Sequence, residues 1–252
     1  MNMREASKTF TAVQRIESVM NRYTKLELAR YRTVWPTVAF SSSASLLVAL
    51  YFFTIVGRFD DSEDNDMFRS YGGVIALALT VTFCVVAIHA TAIYARTIVA
   101  DYVGNRRLQL YGYPDGREPL FHAKNLAFAI ATFAATAIGL VTAFGVFLLA
   151  ERYAPLIASK NSSLLGYLPL LAAVPLLTLG ATIIAGAIGV WRRSVISAII
   201  AVVILVSALG NSVAISLISS PLITLGVSVV GIVAAIALVV ATSQRIRKDD
   251  LM

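Results

Sequence analysis

Six long apolar runs limit what this chain of 252 residues can fold into. A helix of about 20 apolar residues crosses the ~30 Å hydrocarbon layer of a bilayer, and such runs have few other uses. They fall at 34–56, 71–95, 126–150, 164–190, 195–218 and 222–241. The expected fold is therefore an all-α integral membrane protein with six transmembrane helices. The fifth run contains Gly210, Asn211 and Ser212, so it reads either as a full span or as a shorter one followed by a re-entrant turn, which a membrane tolerates only where protein covers the backbone.

Charge supports this reading and adds orientation. Only 14% of the residues are charged, against about a quarter in an ordinary soluble domain. All 21 Lys and Arg and all 14 Asp and Glu lie outside the six runs, as expected when a charge at the bilayer centre costs about 2.5–3.5 kcal/mol. Of the basic residues, only Arg58, Arg69, Arg152 and Lys160 fall on one side; the rest fall in 1–33, 96–125, 191–194 and 242–252. The opposite loop, 57–70, carries Asp60, Asp61, Glu63, Asp64 and Asp66. Positive residues concentrate on the cytoplasmic side of membrane proteins, so both termini are expected there. The net charge of +7 then reflects topology and attraction to anionic lipid, not nucleic-acid binding.

Residues 1–33 are polar and charged rather than carrying the apolar core of a secretory leader, so the first span is expected to be retained. Within them, Phe10, Val13, Ile16, Val19, Met20, Tyr23 and Leu26 recur mostly at spacings of three and four, with charged residues between. That pattern predicts an amphipathic helix lying at the inner interface. It precedes a transmembrane domain over 34–241, and 242–252 form a cytoplasmic tail.

Several classes of chemistry lack their residues. Proton relays and ion-coupled carriers use ionisable groups inside the membrane, and the spans offer only His89, read either as a neutral packing residue or as a substrate contact. The single Cys84 permits no internal disulfide. No G-x-x-x-x-G-K-[ST] phosphate loop occurs. No nucleophile–base pair or metal-ligand cluster is legible, so no catalytic or metal site is assigned.

The segment 96–125 is the longest internal cytoplasmic connection. Arg96 to Leu110 is expected to continue as a helix beyond the membrane. Gly112-Tyr113-Pro114-Asp115-Gly116 is a turn signal. Glu118 and Pro119 then read as the cap and first position of a helix running into the third span, with Lys124 holding its ammonium at the interface. A helix-turn-helix knob of this kind can receive mechanical work from a soluble partner.

From Arg107-Leu108-Gln109-Leu110 through Tyr113-Pro114, Arg117 and Ala123-Lys124, this segment resembles the loop between spans two and three of ABC type-2 (ABC-2) exporter permeases. The glutamate and Gly-Thr that often precede the leucines in that family are replaced around Gly104, Asn105 and Arg106. The resemblance implies a prokaryotic plasma-membrane subunit that docks a separate ATPase, the holder of ATP and Mg, through Arg106, Arg107, Tyr113, Pro114, Asp115, Gly116, Arg117 and Glu118. It also implies a second permease, either another copy of this chain or a relative. The segment also resembles that of FtsX-like permeases, which act as scaffolds or signalling subunits, but these usually have four spans and a substantial outer domain.

In the resembled family spans two and five line the route, which makes Thr80, Cys84, His89, Ser207 and Asn211 pathway candidates. The fifth span has no aromatic residue, which favours an apolar or amphipathic cargo, a lipid, peptide or drug. In the third span Ala127, Ala131, Ala135 and Gly139 recur every four residues, a small-residue stripe expected to pack against another helix.

Overall fold

The computed structural model describes residues 21–59, 70–103, 117–153, 168–215 and 220–250. They are almost entirely helical, with no strand among them. A helix over 21–30, α1, passes through a 3-10 turn at Tyr31–Thr33 into α2, Trp35–Phe59. Then follow α3, Tyr71–Tyr94; α4, Arg117–Tyr153; α5, Leu168–Trp191; α6, Val195–Ile215; and α7, Pro221–Asp250. Five of these, α2, α3, α4, α5 and α7, are long and apolar enough to cross a membrane. The apolar part of α6 is shorter, Val195–Asn211.

Local chemistry explains the ends. Ser70 is extended and its hydroxyl accepts a hydrogen bond from the Gly73 N–H at 3.1 Å, capping α3. Pro221 opens α7, where a missing N–H costs nothing. Between α5 and α6 the Ser194 N–H donates to the Gly189 carbonyl at 3.0 Å and the Arg193 N–H to that of Val190 at 3.1 Å. This is the Schellman pattern, and Arg193 holds the left-handed position at φ 51° that glycine normally takes. The Ser194 hydroxyl accepts from the Ser197 N–H at 3.4 Å, starting α6.

α3 and α5 form the centre. α3 packs against α2, α5 and α6; α5 packs against α3, α6 and, most extensively, α7; α4 lies chiefly along α2. Close approach depends on small residues. A Cβ at Gly139 would lie 2.5 Å from the Ala39 carbonyl oxygen on α2, and one at Gly186 only 2.0 Å from Tyr94 Cε1 on α3. Ala127, Ala131 and Ala135 are buried on the same side of α4 as Gly139.

Two sequence expectations change, and one open alternative is decided. The helix of the second span ends sooner than expected: it passes through a π turn at Ala95–Val99 and a last turn at Ala100–Tyr102, and Val103 is extended. Arg117 is already helical, so Glu118 lies in the first turn of α4 instead of capping it. α6 runs unbroken through Gly210, Asn211 and Ser212. Gly210 is helical and sits at the α3 contact, where a Cβ would make ordinary contact with Cys84 Sγ at 3.8 Å. On α1, Tyr23 and Glu27 face the bundle while Leu26 and Leu28 are exposed.

Candidate functional site

At one end of the bundle, α1, the extension of α3 and the first turns of α4 meet around a buried ionic cluster. α4 brings it there by periodicity. Lys124, Phe128, Ala131 and Ala135 recur at spacings of four and three, and all are buried. The stripe that packs α4 against its neighbours thus carries Lys124 inward. Its ammonium pairs directly with the Asp101 carboxylate and lies 4.0 Å from Glu27. The lysine side chain is 4% exposed, against 13% for Glu27. Lys124 thus keeps its ammonium at the end of the bundle but within the protein, where two carboxylates meet its charge.

Tyrosines surround this cluster. The Tyr31 hydroxyl donates to Thr97 Oγ1 at 3.3 Å, and Thr97 in turn donates to the Ile93 carbonyl at 2.8 Å. Thr97 belongs to the π turn, an irregularity often found at functional positions in helices. Burial pushes the Tyr31 hydroxyl up to about 12, partly offset by the Thr97 hydrogen bond. Tyr94 donates to Asn125 Oδ1 at 2.5 Å, and Asn125 donates to the Phe121 carbonyl at 2.8 Å. The Tyr102 hydroxyl donates to the Arg117 carbonyl at 3.2 Å. The rings interlock edge to face, Tyr94 with Phe128 at 5.0 Å and Tyr102 with Phe121 at 5.1 Å.

The consequence is mechanical. The two helices flanking 104–116 are tied at their ends by Asp101–Lys124 and by Tyr102–Arg117, and Glu27 ties α1 to the same lysine. A displacement at the foot of α3 therefore moves α4 and α1 with it, because separating them would strand charges in a low-dielectric site.

Of the residues assigned to docking, Arg106, Arg107, Tyr113, Pro114, Asp115 and Gly116 lie outside the described residues. Arg117 is 3% exposed, beside Tyr102, Arg193 and Arg245 around a cavity of about 30 Å³. It therefore does not present its side chain on an outer knob, and Glu118 is half-buried. Among the pathway candidates, Thr80 and Cys84 adjoin Gly210 at the α3–α6 contact. Thr80 and Ser207 donate to carbonyls of their own helices, at 2.8 and 2.9 Å. His89 is half-buried, and Ser207 and Asn211 are exposed on α6.

Compared with protein-family models, curated proteins and solved structures, the chain matches none.

Sequence reasoning missed the ionic cluster by treating Lys124 as a residue at the foot of a span. The signal was present in part, since Lys124 lies seven residues before Ala131, on the same buried face of α4 as the small-residue stripe. Glu27 and Asp101 carry no comparable mark, and only the packing of α1 and α3 on α4 brings them together.

Proposed function

We propose that this chain is the membrane permease subunit of an ATP-driven ABC exporter in a prokaryotic plasma membrane. It would couple hydrolysis on a separate nucleotide-binding subunit, which holds ATP and Mg, to export of an apolar or amphipathic cargo. The observation that carries the reading is the tying of both flanks of 104–116 to each other and to α1 through Lys124. A partner pressing on that segment would move three helices together. ATP binding on the partner would drive this motion, and the spans would rearrange around the cargo.

In this reading α6 is the sixth span: its 21 residues give about 31 Å of helix at 1.5 Å per residue, close to the ~30 Å hydrocarbon thickness. Six spans put both termini in the cytoplasm, in agreement with the charge distribution. α1 would then lie along the inner surface with Leu26 and Leu28 in lipid. A second permease, a copy or a relative, would complete the pathway.

Docking is tested at Arg107 rather than at Arg117, whose reversal would bury a carboxylate. Arg107→Glu should abolish cargo-stimulated ATP hydrolysis by the co-purified complex while membrane insertion stays normal. Unchanged stimulation would remove the docking assignment. Purification without any ATPase would remove the exporter reading altogether, and co-purification with a cell-wall enzyme and no response to cargo would favour the scaffold role of FtsX-like permeases.

A further inference from the structure

We propose that the groove between α1 and α4 is a binding site for one anionic phospholipid, its phosphate held by Lys25 and Arg32 and an acyl chain lying against Ile130 and Ala134. The groove encloses about 560 Å³. Apart from the two cations, its accessible walls are exposed Leu28, Trp35 and Ile130, with half-exposed Ala134 as the floor. An apolar trough with cations at its mouth fits an amphiphile with a negative head and a hydrocarbon tail. Neither a soluble anion nor a neutral lipid would use both parts.

Charge on the neighbouring elements favours the same occupant. Residues 21–33 hold Arg22, Lys25, Arg30 and Arg32 against one carboxylate, Glu27. Glu27 lies 4.0 Å from the Lys124 ammonium and 3.9 Å from Arg30. Among the described residues Lys25 and Arg32 have no ion-pair partner, and both are exposed. Near a membrane surface each such cation attracts anionic lipid. Trp35, 39% exposed at the start of α2, stands where indoles concentrate, at the boundary of headgroups and chains. The groove thus opens at headgroup depth and runs along α4 into the hydrocarbon.

The site is independent of the exporter reading, because it needs only a membrane and no ATPase. Native mass spectrometry of the full chain in detergent, titrated with phosphatidylglycerol, counts bound lipid. Wild type should retain one phosphatidylglycerol more tightly than phosphatidylcholine of the same chains. Loss of two surface cations in K25Q/R32Q should weaken retention by about tenfold or more, whereas K25R should keep it. Ala134→Phe, which fills the half-exposed floor of the groove but spares both cations, should weaken it as well. Each variant is compared at an unchanged unfolding temperature, so loss of fold cannot mimic loss of the site. Equal retention in K25Q/R32Q or in A134F would overturn the proposal. So would glycerol 3-phosphate competing as well as the intact lipid, since the chain would then contribute nothing.

Discussion

Lys124 is the residue on which most of this architecture turns. An ammonium 4% exposed is tolerated only because Asp101 and Glu27 meet it, and removing one member of a buried ion group leaves the others uncompensated. Lys124→Met should therefore destabilise the protein by about 3 kcal/mol or more, read as a fall in unfolding temperature in detergent. Combining it with Asp101→Asn should recover part of the loss; a double variant worse than the sum of the singles would contradict the pairing. Tyr31 supplies a pH-dependent term. Burial raises its hydroxyl from 10.0 to about 12, so the neutral phenol is favoured in the folded state. The stability it contributes is complete below pH 10 and is lost as pH rises from 10 towards 12. The tyrosinate absorbance lost in Tyr31→Phe should accordingly appear only near the upper end of that window.

At the level of helices, contact is controlled by where side chains are missing. Gly186 faces the ring of Tyr94, and a Cβ there would lie 2.0 Å from Cε1. Gly186→Ala must displace Tyr94 and its hydrogen bond to Asn125, and should cost about 1–3 kcal/mol as overpacking. At Gly226 an added Cβ would meet nothing within 4 Å. Gly226→Ala should be neutral or stabilising by up to about 1 kcal/mol from helix propensity, so the pair of unfolding temperatures separates packing from backbone effects. The positions of the helices themselves were legible in the sequence, because the apolar length that a membrane requires is a local property of the chain. The extent of α4 was half legible. The turn signal at 112–116 marked its start approximately, but Glu118 looked like a cap only because the earlier helical position of Arg117 cannot be read from residue type. For α1 the sequence marked the apolar residues Leu26 and Tyr23 but not Glu27, whose place beside Lys124 depends on how α1 lies on α4.

Over the whole molecule, the number of crossings decides which side of the membrane each terminus occupies. If α6 crosses, both termini and 104–116 share one side, opposite 154–167; if it does not, the two termini lie on opposite sides. In a Cys84→Ala background, an impermeant maleimide applied to intact cells should label Lys160→Cys but neither Arg107→Cys nor Lys8→Cys nor Lys248→Cys until the membrane is opened. Labelling of Lys248→Cys from outside would reduce the count to five. Membrane residence and helical class followed from composition and run length, since the hydrocarbon layer imposes its thickness on any chain that crosses it and leaves no backbone group without an internal partner. The cluster of Glu27, Asp101 and Lys124 did not follow from them. Those residues are 74 and 23 positions apart along the chain, and their meeting depends on how α1 and α3 lie against α4, through contacts such as Tyr94 with Asn125 and Phe128. Periodicity specifies which face of a helix turns inward, but the partner that face meets is a property of the packed bundle.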